Sequence, residues 1–386
     1  MGWKHSAKNG FEKMKIGIVT FFCVPNYGAM LQAHVLWHVL AKRGHEVEFI
    51  DYSVCKANAP SLLHCFMTRH MSAIRHRLKS FVRYPMTDFA SSCPRTRHYV
   101  SYDDLKSNCP KYDCLIVGSD QMWNPMWFSD EKLPFVMLDF ANESCRRLAC
   151  SVSFGTDKWR KDQNAILAGE LIGRFLAISV REESGVALVE KLSGRRDAQC
   201  LIDPTMLFGA DAYLALCRNA PEVSGDYVFE YFLDDWLGAD EGRSVVKKVM
   251  AALNISKVKS DRIPVAGALA PLCRMMGITS KRRVEDWLAC LSNASFVCTN
   301  SFHGTVFSLL FHRPFVTILL KGQMAGMNER VLSLLDKVGL RSRAVCVDEI
   351  ARIDGVLRAP IDWETVDRRF DGERVKFNRF ISEAGL

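Results

Sequence analysis

Apolar and polar positions along this chain fall into two alternating periods. Residues 15–22 are a continuous apolar run rich in β-branched side chains, which predicts a strand. Asn26-Tyr27-Gly28 reads as a turn. Residues 29–42 then place Leu31, Val35 and Val39 on one stripe with Met30, Leu36 and Leu40 beside it, which is helical spacing. Gly44 ends that helix, and Lys42 and Arg43 fall in its last turn, where cations complement the helix dipole. Residues 46–52 return to a strand pattern. A strand, helix and strand in this order predict a parallel sheet. The alternation continues with strands at 112–117, 148–154, 177–180 and 200–202 and a helix at 184–192. Residues 220–226 are polar and turn-rich and mark a domain boundary. Beyond them come a strand at 227–232, helices at 245–253 and 287–292, a strand at 294–299, a helix at 305–311 and a strand at 315–318.

The expected fold is therefore α/β, with two Rossmann-like domains facing each other across a cleft. Residues 1–14 read as a flexible N-terminus, 15–220 as the first domain and 221–345 as the second. Residues 346–386 read as a C-terminal helical segment, with packing back on the first domain as one option. No repeat of fixed period and no low-complexity tract interrupts this order.

Composition narrows the class. The chain has 386 residues, enough for two domains, and its 48% hydrophobic and 24% charged content is that of a globular protein. The longest apolar stretch, 287–320, is broken by Asn293, Asn300, His303, His312 and Arg313, so no membrane span is expected. Residues 1–13 are polar and lack a secretory apolar core. The 14 cysteines form no Cys-x-x-Cys pair, and several sit in apolar runs, as reduced, buried thiols of a cytosolic protein do. A net charge of +8 biases the reading toward anionic substrates or an anionic surface. Much of it lies in a basic helical insertion at about 56–100, where Leu62, Leu63, Phe66, Ile74, Leu78 and Phe81 interleave with Arg, Lys and His. That segment reads either as a solvated helix face or as a peripheral contact with a membrane surface or lipid-linked substrate. No nucleic-acid motif accompanies the charge, so no nucleic-acid partner is expected.

Four polar loops follow predicted parallel strands: 25–28, 119–124, 181–183 and 300–304. In an open α/β sheet such loops share the ligand-binding edge. His303 stands where an apolar strand becomes a helix, so it can exchange protons near neutral pH beside N–H groups that can hold an anion. Arg181 follows the strand 177–180 and can fork two N–H groups onto a carboxylate or phosphate; its alternative is an ion pair with Glu182, Glu183 or another acid. Asp120 and Gln121 can orient a hydroxyl-rich substrate or cap a helix. His34 and His38 have metal-ligand spacing, but no third ligand accompanies them and Val35 and Leu36 between them suggest packing, so no metal is expected. The Gly-x-Gly-x-x-Gly and P-loop patterns are both absent, which weakens dinucleotide and nucleoside-triphosphatase readings.

Several segments together resemble the polysaccharide pyruvyl transferase family. They are Asn26-Tyr27-Gly28-Ala29 with Leu31-Gln32, Tyr112-Asp113, Gly118-Ser119-Asp120-Gln121-Met122-Trp123-Asn124, Ser179-Val180-Arg181-Glu182 and Asp203-Pro204-Thr205. Thr299-Asn300-Ser301-Phe302-His303-Gly304-Thr305 with Phe307-Ser308, Pro314-Phe315 and Asn328-Glu329-Arg330 complete the set. Met122 stands where the family usually has an aliphatic residue, and the basic insertion carries least of the pattern.

The resemblance implies a fold similar to the GT-B glycosyltransferases with the site in the interdomain cleft. It implies transfer of the pyruvyl group of phosphoenolpyruvate to two hydroxyls of a sugar in a cell-surface polysaccharide or its lipid-linked precursor, giving a cyclic ketal and phosphate without a cofactor. Arg181 and His303 match the family's expected donor-site residues, with Asn300, Ser301, Gly304 and Thr305 around them. Asn26, Tyr27, Gly28, Gln32, Ser119, Asp120 and Gln121 are expected on the facing wall, toward the acceptor. The expected location is the cytoplasm, with the inner face of the membrane as the alternative placement. Two other activities remain open on the sequence: a GT-B-type glycosyltransferase using a nucleotide sugar, and a non-catalytic glycan-binding protein.

Overall fold

Two parallel sheets organise the computed structural model, which describes residues 12–52, 82, 84–159, 161–233 and 239–386. The first is built from β1 (Lys15–Val19), β2 (Glu46–Phe49), β3 (Cys114–Val117), β4 (Arg146–Val152), β5 (Ala177–Val180) and β6 (Gln199–Cys200), in the order β2-β1-β3-β4-β5-β6. A separate antiparallel pair, β9 (Arg262–Pro264) and β10 (Thr279–Lys281), lies between the strands of the second sheet in sequence. That sheet comprises β7 (Val228–Tyr231), β8 (Val258–Ser260), β11 (Phe296–Thr299), β12 (Phe315–Leu319) and β13 (Ala344–Cys346), in the order β13-β12-β11-β7-β8. Within each sheet the second strand in sequence lies beside the first on the outside, and the third lies on its other side. Each sheet therefore changes direction between its first and third strands, β1/β3 and β7/β11. Ligands of open α/β sheets bind outside the carboxyl ends at such points.

The principal helices begin where polar side chains cap them. α1 (Tyr27–Lys42) starts at once after Asn26, whose side-chain oxygen accepts the Ala29 N–H at 3.2 Å. Tyr27 and Gly28 are thus the first helical turn and not a separate turn. The apolar stripe becomes periodic only past them, which is why the pattern places the start later. Further along come α2 (Glu183–Ser193), α3 (Ala239–Leu253), α4 (Val284–Ser292), α5 (Phe302–Leu310), α6 (Glu329–Val338) and α7 (Trp363–Glu383). α5 likewise begins three residues before its predicted start, capped by Ser301.

β1 and β2 stop short of the apolar runs that predict them, while Phe22 and Ile50 beyond their ends stay buried. The short strands β8, β9, β10 and β13 have no counterpart in the sequence reading. Each spans three residues, and none of β8, β9 and β10 is a buried apolar run, so little periodicity marks them. The basic insertion falls largely outside the described residues, which omit 53–81 and 83, as does 1–11 of the N-terminus. Its described end contains a 3₁₀ turn, Pro85–Thr87, and a short helix, Asp88–Ser91.

One apolar cluster runs across both domains, joining Leu36 and Leu40 of α1 to Tyr231, Trp287 and Phe307 of the second domain and to Phe377 and Phe380 of α7. Trp123, Phe154 and Leu171 cover the other face of the first sheet, and Val245, Val249 and Val356 the other face of the second. α7 returns to the first domain: Arg43 donates to the Leu386 carbonyl at 2.6 Å and Arg374 Nε to the Met206 carbonyl at 2.8 Å. Among the described residues every cysteine is free, and no helix is long and apolar enough to cross a membrane.

Candidate active site

A cavity of about 300 Å³ opens where the two sheets present their carboxyl edges. The first domain lines it with Phe21, Asn26, Asp120, Gln121 and Trp127, and the second with Asn300, Ser301, His303 and Arg330.

His303 sits in the first turn of α5. The Thr299 hydroxyl accepts the Ser301 N–H at 3.0 Å and donates to the Tyr231 carbonyl at 2.6 Å, which fixes the loop that carries the helix. Ser301 in turn accepts the Gly304 N–H. These caps leave the N–H groups of Phe302 and His303 at the head of the helix. Two glycines make the packing possible. A Cβ at Gly304 would lie 2.3 Å from Thr299 Oγ1, and a Cβ at Gly28 would lie 1.9 Å from His303 Nδ1. The imidazole therefore rests directly on the backbone of α1, and its other nitrogen, Nε2, lies 3.5 Å from Asp203 Oδ2.

Asp203 is the centre of a buried ionic chain. It follows β6, and its Oδ1 accepts the Thr205 N–H at 2.8 Å to cap the turn Pro204–Leu207. Its Oδ2 pairs with Arg181 Nη2, and its side chain is 0% exposed. Burial opposes ionisation, but the Arg181 guanidinium, His303 and the Thr205 hydroxyl overcome it and hold the carboxyl below the usual carboxylate range. Arg181 Nε also donates to Ser119 Oγ at 2.9 Å and to the Ser151 carbonyl at 3.1 Å. Asp120 stands 3.8 Å from Arg181 Nη1. Asp120 has φ 67, a left-handed conformation that aspartate tolerates because its carboxylate accepts the next N–H, here that of Gln121 at 2.9 Å.

Arg330 comes from the start of α6. The preceding Asn328 clamps Leu320 with two hydrogen bonds, both 2.9 Å, to its N–H and its carbonyl. Burial lowers the Arg330 pKa, an effect countered by the charges of Asp120, Glu182 and Asp203. Glu182 is buried too, which raises its pKa; it braces the loop after β4 by accepting the Phe154 N–H at 2.7 Å and the Ser153 hydroxyl at 3.0 Å.

The cavity gathers only part of the residues the sequence singles out. His303, Asn300, Ser301, Asn26, Asp120 and Gln121 reach its wall. Arg181 does not: its side chain is 1% exposed and spent on Asp203, Ser119 and Ser151, so the alternative of an ion pair with another acid is the one realised. Thr305 bonds Ser301 and Thr317 within the second domain, and Gly304 serves the packing on Thr299. Tyr27 turns from the cavity, stacks on Trp287 at 4.8 Å and donates to the Arg282 carbonyl at 3.1 Å, tying the domains together. Gln32 is buried between Thr20 and the Ser119 N–H, and Ser119 holds Arg181. Gly28 is a seat for His303. Asp203 and Arg330, absent from the expected site residues, are brought into it. Asp203 was findable as the first polar residue after a parallel strand.

His34 and His38 pack against Phe89 and Phe208, and burial pushes His34 down to about 4. Among the described residues no group of three or more His, Cys, Asp or Glu side chains is placed to hold a metal.

The family model described as polysaccharide pyruvyl transferase matches residues 26–321 of the chain. No curated protein matches it. Among solved structures, the UDP-GlcNAc 2-epimerase of Methanocaldococcus jannaschii is similar with a TM-score of 0.52 at 9% identity, covering 96% of this chain and 100% of that one. The UDP-GlcNAc 2-epimerase of Neisseria meningitidis gives 0.50 at 8% identity, with 96% and 100% covered. The glycotransferase of kitacinnamycin gives 0.50 at 13% identity, with 97% and 99% covered. These likenesses concern the fold alone, which is that of the GT-B proteins.

Proposed function

From the premise that this chain belongs to the polysaccharide pyruvyl transferase family, we propose that it transfers the pyruvyl group of phosphoenolpyruvate to two hydroxyls of one sugar. The product is a cyclic ketal on a cell-surface polysaccharide or its lipid-linked precursor, and phosphate is released. The observation that carries the reading is a histidine on the cavity wall backed by a buried carboxylate, His303 on Asp203. A carboxylate so placed orients the imidazole. With Nε2 facing Asp203, Nδ1, which lies beside Gly28, is the nitrogen left for substrate protons.

The reaction balances with these groups. His303 gives a proton to the methylene of phosphoenolpyruvate, which becomes the methyl group and leaves positive character on the neighbouring carbon. A sugar oxygen bonds to that carbon and gives its proton to His303. The carbon–oxygen bond to phosphate then breaks, the second hydroxyl bonds to the same carbon to close the ring, and its proton leaves with the phosphate. Asn26, Asp120 and Gln121 supply polar contacts for the acceptor on the facing wall, and no cofactor enters the scheme. The protein is proposed to act in the cytoplasm, at the inner membrane face where the acceptor is lipid-linked.

Incubation with phosphoenolpyruvate and candidate glycans is expected to release phosphate and add the mass of one pyruvyl ketal to the glycan. Turnover of a nucleotide sugar with none of phosphoenolpyruvate would sink the reading.

Gly28→Ala supplies a test at the helix that seats the imidazole. Gly28 lies in the first turn of α1, and overpacking a buried side chain costs about 1–3 kcal/mol, so the fold is expected to persist with a modest loss of stability. The new methyl group must displace His303, and a misplacement of that order is expected to reduce turnover about 100-fold. Phosphate release measured beside thermal unfolding checks both halves; full turnover by this variant contradicts the assigned seat.

A further inference from the structure

We infer that the guanidinium of Arg330 holds the anionic head of the donor, beside an Arg181 that Asp203 fixes in place. The inference rests on the reading of the cavity as the site of an anionic enol phosphate.

A buried arginine is ordinarily matched by acceptors, because an unpaired charge in the interior is strongly unfavourable. Arg181 is matched in this way at Nε and Nη2 by Asp203, Ser119 and the Ser151 carbonyl, and its Nη1, without a hydrogen bond, still faces Asp120 at 3.8 Å. Arg330 is not. Among the described residues its side chain makes no hydrogen bond or ion pair, and its Nε is sealed from solvent without an acceptor. Its guanidinium carbon stands over the Phe302 ring, 5.6 Å from the ring centre. Asp120, Glu182 and Asp203 act on it through space, yet each is already engaged by other groups.

The position suits an anion that must meet His303. Arg330 lines the cavity, and Phe302, on which it rests, has its ring centroid 5.1 Å from that of His303. The N–H groups at the head of α5 belong to Phe302 and His303 themselves, so a carboxylate or phosphate on the Arg330 fork lies beside a second set of donors. The clamp of Asn328 on Leu320 fixes the chain two residues before the fork, so the guanidinium is held in place before a ligand arrives. An arginine unpaired at this position can take two oxygens of a ligand on its fork.

Binding without turnover tests this. Calorimetry measures phosphoenolpyruvate, inorganic phosphate and UDP on the unaltered protein, Arg330→Met, Arg330→Lys and His303→Gln. The expected result is that Arg330→Met loses affinity for phosphoenolpyruvate by at least about 30-fold, the low end for removing one partner of a desolvated charge pair. Arg330→Lys, which keeps the charge and loses the fork, is expected to lose about tenfold. His303→Gln is expected to bind nearly as well as the unaltered protein. The melting temperature of Arg330→Met is expected to be unchanged or higher, because a matched volume replaces an unpaired charge. Equal affinity in Arg330→Met overturns the inference, as does a melting temperature several degrees lower. If the unaltered protein binds UDP and not phosphoenolpyruvate, and Arg330→Met loses UDP, Arg330 is upheld and the donor reading falls. An unaltered protein that holds none of the three anions overturns both.

Discussion

Asp203→Asn is expected to lower folding stability by about 3–5 kcal/mol, the range for breaking a buried ion pair by removing one partner. The asparagine keeps an oxygen for the Thr205 N–H, so the cap on Pro204–Leu207 survives. What it loses is the charge facing Arg181, and its amide group sets two donors against a guanidinium that can only donate. Arg181, 1% exposed, is left with Asp120 at 3.8 Å as its nearest acid. The effect carries a pH signature. The native Asp203 carboxyl is held below the range it has in the unfolded chain, so its contribution is present above the unfolded pKa and is lost as pH falls through the native one. The difference between the unaltered protein and the variant is therefore expected to be full above about pH 5 and to shrink below about pH 4. Urea unfolding across that range measures it. Adding Arg181→Met is expected to recover much of the loss, since apolar replacement of a whole buried pair is often close to neutral. Equal urea midpoints for Asp203→Asn and the unaltered protein would show that the pair does not hold the strand ends together.

Much of this arrangement could be read from the chain, and the misses have identifiable causes. The ends of β5 coincide with the predicted strand, because four apolar residues there meet a charged cluster at once. His303 was legible for the same reason: an apolar strand, a polar loop and an apolar helix leave little choice about which edge the loop occupies. The partner of Arg181 was not. Glu182 and Glu183 are its neighbours in sequence, but Glu182 turns to the loop after β4, and the acid that meets Arg181 lies 22 residues on at Asp203. Pairing between strand ends depends on sheet order, which periodicity does not report. Tyr27 was expected on the acceptor wall because it belongs to the segment that carries the resemblance, 26–29. Its hydroxyl donates to the carbonyl of Arg282, directly after β10, in a hairpin too short and polar to predict. Arg330 follows a 3₁₀ turn and no strand, so the rule that finds sites at strand ends passes over it.

His303→Gln is expected to reduce turnover by about 10²- to 10⁴-fold, the contribution of a positioned acid/base, while leaving the fold in place. Glutamine has a comparable length and an amide that can still donate toward Asp203, so the buried carboxylate keeps a neighbour there and keeps Arg181. It cannot take a proton from a sugar hydroxyl and return it within a catalytic cycle. The loss should therefore fall on kcat, with the KM for phosphoenolpyruvate little changed, because the anion is held elsewhere. This separates His303 from Asp203, whose replacement strikes stability first, and from Arg330, whose replacement strikes binding first. It also separates catalysis from a glycan-binding role, in which glutamine at this position leaves function intact. The arrangement allows a second check through His303→Ala. The imidazole rests on the bare backbone of Gly28, and its removal leaves a space of its own shape between α1 and Asp203. Imidazole added to that variant is expected to restore part of the phosphate release. Restoration by imidazole, with none by an uncharged ring of similar size that cannot carry a proton, ties the lost activity to proton transfer at this position.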